Sequence, residues 1–153
     1  MYAGFTVYCS KSAMQATLIR PRFLQSTNGE GDAYLALDRE GVVLLEFAHA
    51  GSGEGGSRAY NWVEKENFAL SVRELGEILD LEYGEEADWL HRPAQGDKQK
   101  SLRLSPLRGP GQKGFMFQLS VQAIQNGQAG QVYNKFNVPV ERGNWRVIKE
   151  VAR

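Results

Sequence analysis

Apolar and polar residues alternate with a period of two along most of the chain, the pattern of half-buried β-strands. Thr6, Val7 and Tyr8 open the first such run, and one or two strands are expected within the first 23 residues. Ala33, Leu35 and Leu37 alternate with Tyr34, Ala36 and Asp38; Arg39-Glu40-Gly41 then reads as a tight turn into 42-VVLLEFA-48. The segment 50-AGSGEGGSR-58 reads as a flexible loop, with a short strand 59-AYNWV-63 after it. In the second half, Leu102 and Leu104 alternate with Ser101, Arg103 and Ser105. The turn 108-RGPGQKG-114 leads into a strand on which Phe115, Phe117, Leu119, Val121 and Ala123 share a face. Beyond the turn-like 126-NGQAGQ-131, Phe136, Val138 and Val140 oppose Tyr133, Lys135 and Asn137. The expected strand count is seven or eight.

Two helices interrupt this pattern. Ser71 with Glu74 three residues on is a capping box, and Val72, Leu75, Ile78 and Leu79 form an apolar stripe behind it. Gly76 weakens that helix, which close packing against a neighbour would explain. A second helix of about three turns is expected from near Asn144, with Trp145, Ile148 and Val151 at helical spacing. Residues 89-WLHRP-93 fall in a linker between the halves. Each half reads as a small antiparallel meander ending in a helix, giving an α+β domain.

The chain of 153 residues, 42% hydrophobic and 24% charged, fits one folded domain. No apolar run reaches the length of a transmembrane helix, and no membrane partner is expected. The first twenty residues resemble no targeting segment, so any such segment is expected to be absent from this chain. The lone Cys9 excludes an internal disulfide, and one thiol with two histidines argues against zinc. Net charge is zero but unevenly spread. Residues 1–30 carry +2, residues 31–92 carry −9 and residues 93–153 carry +7, so a basic face apart from an acidic one is expected.

Catalytic constellations are missing from this pattern. Cys9 lacks a neighbouring base, His49 and His91 lie outside any ligand spacing, and 51-GSGEGGS-57 lacks the ending of a phosphate-binding loop. No enzyme, cofactor or metal is expected. The outward residues of the second-half strands make a better site: Ser101, Arg103, Ser105, Met116, Gln118, Ser120, Tyr133, Lys135 and Asn137 include no acid. Cations, amides and flat rings are what a single-stranded nucleic acid engages. Phe115, Phe117 and Phe136 are assigned to the core, Tyr34 and Tyr133 to the surface, and Tyr60 and Trp62 fit either.

The run 60-YNWVEKENFALSVRELGEIL-79 resembles the Tyr-Asp-Trp…Phe-Ala-Leu-Ser…Glu-Val/Ile-Gly segment of the plant Whirly single-stranded-DNA-binding proteins. In the same order, 89-WLHRP-93, 100-KSLRLSP-106, 115-FMFQLSV-121 and 136-FNVPV-140 are similar to later family motifs. The opening 2-YAGFTVYCSKSAM-14 resembles the family strand ending in Tyr-Lys-Gly-Lys-Ala-Ala-Leu. It keeps Tyr8, Lys11 and Ala13 but holds Cys9 and Ser10 where Lys and Gly are usual, as in a divergent, algal-like member.

The resemblance implies one Whirly-like nucleic-acid-binding domain over residues 1–153, whose last helix stops short. Two antiparallel four-stranded sheets would pack crosswise, with helices at the core of a homotetramer able to assemble further. It implies sequence-tolerant single-stranded DNA binding in organelle genome maintenance, DNA repair and transcription regulation, in plastid or mitochondrion and alternatively the nucleus. On this basis Lys11, Arg20, Arg22, Lys100, Arg103 and Lys135 would meet phosphates. Tyr34, Tyr60, Trp62 and Tyr133 would stack on bases, and Gln118 and Asn137 would bond base edges or sugars. Leu75, Ile78, Trp145 and Ile148 would face partner chains. An RNA-binding or annealing module on the same fold, and a protein-interaction scaffold, are the alternatives.

Overall fold

Side chains that alternate between buried and exposed positions set the sheets. The computed structural model describes residues 4–52, 58–93 and 96–153. Among them, β1 (Gly4–Tyr8), β2 (Ser12–Ile19), β5 (Val42–Ser52) and β7 (Glu66–Leu70) form an antiparallel sheet, with short β6 (Arg58–Tyr60) paired to the end of β5. Helix α1 (Val72–Asp80) follows. A second antiparallel sheet then runs in chain order from β8 (Ala87–His91) through β9 (Lys98–Pro106) and β10 (Gly114–Gln125) to β11 (Gln128–Glu141), and α2 (Arg142–Ala152) ends the fold. The fold is thus α+β, two antiparallel meanders each followed by a helix. One core joins them, in which Phe47, Phe68, Leu102, Phe117, Leu119 and Phe136 are almost wholly buried.

Between β2 and β5 the chain makes a two-stranded ribbon of β3 (Arg22–Thr27) and β4 (Ala33–Arg39). It continues beyond the β2–β5 ladder, whose last pair is Ile19 with Val42. Pro21, which has no N–H to give a ladder, stands at the break. Residues 39–41 therefore do not turn a hairpin: β4 pairs with β3 and β5 with β2.

Eleven strands are present among the described residues, against the seven or eight expected. The strands not anticipated are Arg22–Thr27, Glu66–Leu70 and Ala87–His91, the last of which replaces the supposed linker. Of the expected loop 50–58, residues 50–52 belong to β5 and residue 58 to β6, while 53–57 lie outside the described residues. The strand expected over 59–63 ends at Tyr60. Asn126 and Gly127, both with positive φ, make the whole β10–β11 turn, so residues 128–131 are strand.

Helix α1 starts as expected. Ser71 Oγ accepts from the Glu74 amide, and Glu74 Oε2 accepts from the Ser71 amide at 2.7 Å. Nothing approaches within 4 Å of where a Gly76 side chain would begin, so close packing within the chain does not explain that glycine. Helix α2 begins at Arg142, ahead of the expected Asn144. The oligomer stripe needs correction. Ile78, Trp145 and Ile148 are buried in the chain's own core, leaving Leu75 the only one of the four that is partly exposed. Trp145 packs on Phe115, ring centres 4.5 Å apart, which uses up the face meant for partners.

Candidate nucleic-acid interface

Strand register builds the outer face of the second sheet. Gln118 stands between Asn137 on β11 and Arg103 on β9, and Arg103 faces Asp88 on β8. Two residues along, Ser120 stands between Lys135 and Ser101, and Ser101 faces Leu90. These positions alternate with buried Leu102, Leu104, Phe117, Leu119, Phe136 and Val138, so they point away from the core. Asp88, Leu90, Ser101, Arg103, Gln118, Ser120 and Lys135 all line one shallow groove of about 370 Å³. The Gln118 amide donates to Asn137 Oδ1 at 2.8 Å, which fixes both side chains on the face.

The face is not free of acid. Strand β8 sets Asp88 opposite Arg103, and Glu86 just before it holds the Arg103 guanidinium at 2.8 Å. Glu86 thereby favours the charged form of Arg103 and occupies it. Lys135 has no acidic partner among the described residues.

At the β11 edge, this face meets the turn between β1 and β2. The Ser12 hydroxyl donates to the Asn137 carbonyl at 2.6 Å. The Cys9 amide donates to the Ser12 carbonyl at 2.9 Å, and the Tyr60 hydroxyl donates to the Cys9 carbonyl at 2.6 Å. Tyr60 is half-buried there, its ring centre 5.3 Å from that of exposed Tyr8. His49 lies flat on Phe136, with Nε2 2.6 Å from Asn134 Oδ1. The small residues of 8-YCSKSAM-14 thus let this turn press against β11 of the same chain. Lys11 and Tyr8 are left exposed beside the strand that carries Lys135 and Asn137.

Other predicted contacts lie elsewhere. Lys100 shares the inner face of β9 with Leu102 and Leu104, and its ammonium is held by Glu66 at 3.1 Å and the Asn67 carbonyl at 2.8 Å. It is not part of the outer face. Tyr133 has no partner in the irregular β10–β11 register and sits beside Lys98, away from the Lys135 row. Arg20, Arg22 and Tyr34 belong to the ribbon and its base, where Arg22 pairs with Asp38. Trp62 is half-buried just past β6. The interface therefore gathers Lys11, Tyr60, Arg103, Gln118, Lys135 and Asn137 of the residues named from sequence. It adds Tyr8, Leu90 and the acidic pair Glu86 and Asp88. Alternation of exposed Asp88 and Leu90 with buried Trp89 was the available signal for β8.

A cleft of about 680 Å³ opens between β7 and the β8–β9 connection, with Phe68, His91, Lys98 and Lys100 in its lining. His91 stacks on Phe68 at 3.9 Å, its Nε2 2.5 Å from Glu74 Oε1. Burial pushes the Glu66 carboxyl up, but hydrogen bonds and charge from Lys98 and Lys100 outweigh it and hold it below the usual range. The same hydrogen bond raises Lys98. Among the described residues no three His, Cys, Asp or Glu side chains are placed to hold a metal ion, and no helix is long and apolar enough to cross a membrane.

The Whirly transcription factor family matches residues 7–151. The chain belongs to the Whirly family. Similar curated proteins include the chloroplastic single-stranded DNA-binding protein WHY1 of Solanum tuberosum, 34% identical over 97% of this chain and 51% of that protein. The mitochondrial WHY2 of Arabidopsis thaliana is 27% identical over 97% of this chain and 59% of its own length. The chain spans about half the length of the curated relatives it matches. Among solved Whirly structures, that of Arabidopsis thaliana WHY1 superposes with a TM-score of 0.78 at 27% identity, covering 99% of this chain and 81% of that one. The plant transcriptional regulator PBF-2 gives 0.77 at 29% identity, covering 99% and 79%.

Proposed function

We propose that this Whirly domain binds single-stranded DNA with little sequence preference and does no catalysis. The observation that carries the reading is the continuous polar surface made by the Ser12–Asn137 junction. On one side it offers Lys11 and the Tyr8–Tyr60 pair, on the other Lys135, Asn137 and Gln118. Cations there meet phosphates, tyrosine rings meet bases of any identity, and the amides bond to base edges or sugars. The names of the similar proteins, single-stranded DNA-binding proteins of chloroplast and mitochondrion, support the same reading. The chloroplastic and mitochondrial names of the relatives support a place in plastid or mitochondrion, and work there in organelle genome maintenance, DNA repair and transcription regulation, as a homotetramer, is part of the proposal.

Fluorescence-anisotropy titration with single-stranded DNA, duplex DNA and single-stranded RNA of equal length tests the proposal, with light scattering for size. Tight, strongly salt-dependent binding to single-stranded DNA is expected. Preference for RNA moves the assignment to an RNA-binding module, and retention of none of the three at low salt moves it to a protein scaffold.

A further inference from the structure

Strand β8 is a sheet edge: it pairs with β9 and has no second partner among the described residues. Leu90, on that edge and 59% exposed, lines two cavities at once. One is the groove of about 370 Å³ on the outer sheet face. The other is the cleft of about 680 Å³ towards β7, itself an edge that pairs with β5. The outer face and the cleft are therefore one surface folded over β8. The row of Lys135, Ser120, Ser101 and Leu90 crosses all four strands and ends at this fold. At roughly 4.8 Å per gap between strands, it spans about 14 Å.

Past Leu90 the cleft continues the chemistry of the face. His91 stacks on Phe68, ring centres 3.9 Å apart, with Nε2 2.5 Å from Glu74 Oε1, yet its side chain is still 34% exposed. The ring is thus backed on one side, held at its edge and open to the cleft. Arg92 comes next and is exposed. Its guanidinium donates to the Gly127 carbonyl in the β10–β11 turn, which leaves other N–H groups of the fork free. It has no acidic partner among the described residues. Lys98 and Lys100 share one carboxylate, Glu66, at 3.0 and 3.1 Å, so the three groups together keep one positive charge. Against these cations the lining holds one acid among the described residues, Asp97. No residue of α1 or α2 lines the cleft, so a homotetramer built through the helices does not fill it.

An open ring beside a free guanidinium, reached from the sheet without a break in the surface, fits a base joined to its phosphate. We infer that a single strand bound on the sheet crosses β8 at Leu90 and continues into this cleft. There one base seats against His91 and its phosphate meets Arg92, with the positive cluster of Lys98, Lys100 and Glu66 beyond. The inference rests on the single-strand reading and deepens it. It sets the path of the nucleic acid across the protein strands, from β11 to β8, and adds His91 and Arg92 as contacts. Arg can grip a phosphate with two donors, so Arg92 holds orientation as well as charge.

Salt titrations with oligo-dT of increasing length test this path on the wild-type chain, Arg92→Gln and Arg92→Lys. Both replacements keep a donor for the Gly127 carbonyl, and circular dichroism checks the fold. Arg92→Gln should flatten the slope of log K against log salt by about 0.7, the share of one phosphate contact, and Arg92→Lys should restore most of it. Affinity should also stop rising at a shorter oligonucleotide in Arg92→Gln than in wild type. A second measurement needs no substitution in the cleft: the NMR signals of the His91 ring should move when oligo-dT binds the wild-type chain. The chain has two histidines, and His49→Gln tells their signals apart. In a chain that binds oligo-dT tightly, an unchanged slope in Arg92→Gln or unmoved His91 signals overturns the cleft path and leaves the sheet reading standing. A wild-type chain that binds no single strand overturns both. A last arm adds free thymidine monophosphate: if it moves the His91 signals at the concentrations where oligo-dT does, the strand is overturned as the source of the nucleotide.

Discussion

The side-chain hydroxyl of Ser12 and the main-chain carbonyl of Asn137, 125 positions apart, are joined by a 2.6 Å hydrogen bond across the meeting of the two sheets. Ser12 is buried, so no water replaces the hydroxyl if it is removed. Ser12→Ala should therefore lower stability by about 1–2 kcal/mol, read from urea unfolding. It should also weaken single-strand binding, because the turn carrying Lys11 loses its anchor to the strand carrying Lys135. An unchanged unfolding midpoint would show that the bond contributes nothing.

Arg103 and Lys135 should not contribute alike to DNA binding, although both are exposed on one face. Lys135→Ala should reduce the salt slope by about 0.7, the share of one phosphate contact. Arg103→Ala should do less, since Glu86 already holds the guanidinium. The distinguishing variant is Glu86→Gln, which releases Arg103. Salt titration of that variant should show tighter binding and a steeper slope than wild type.

The Glu66 cluster predicts how stability depends on pH. Its carboxyl is held below the ordinary 4.5, so its contribution is fully present above that value and is lost as pH falls through the lowered one. Lys98 is raised above 10.5, so its share of the same interaction is present below that value and lost as pH rises through the raised one. Glu66→Gln should cost about 1–3 kcal/mol near neutral pH. Once pH has fallen through that lowered value the two proteins should converge, as thermal melts across pH would show.

Two glycines should respond in opposite directions. Gly114 has φ +144, and a side chain there would start 2.1 Å from the Val140 carbonyl oxygen. Gly114→Ala should destabilise the fold by about 3 kcal/mol or more through strain and displacement of β11. Gly76 sits on an exposed helical face with open space around it. Gly76→Ala should raise the unfolding free energy of the chain by about 0.5–1 kcal/mol. Denaturant melts of both variants give the comparison.

Much of this was legible from residue pattern. Phe115, Phe117 and Leu119 are buried as their alternation requires, and Ser71 with Glu74 caps α1. The outward row of Arg103, Gln118, Lys135 and Asn137 was also readable, because a period of two fixes which way side chains point. What escaped the sequence depends on which strand lies beside which. Strand β8 is short, and only its pairing with β9 shows that Asp88 and Glu86 confront Arg103. Lys100 was misplaced for a related reason. Its position on the inner face looks unsuitable for a cation until Glu66, from the other sheet, is seen to receive it. The amphipathic stripe of α2 was correct as a pattern, but a pattern does not say whether it is covered by the same chain or by another.

Helix α1 is held at both ends by the second half of the chain. Glu74 uses one carboxylate oxygen to close its own cap and the other to meet His91 on β8. At the far end Lys149 from α2 takes the carbonyls of Leu79 and Leu81. A nine-residue helix has little stability of its own. The apparent two-fold repeat of sheet and helix is therefore not two folding units. The first helix becomes firm only once the second sheet and its helix are in place, so the domain should open in hydrogen exchange as a single cooperative block rather than one half at a time.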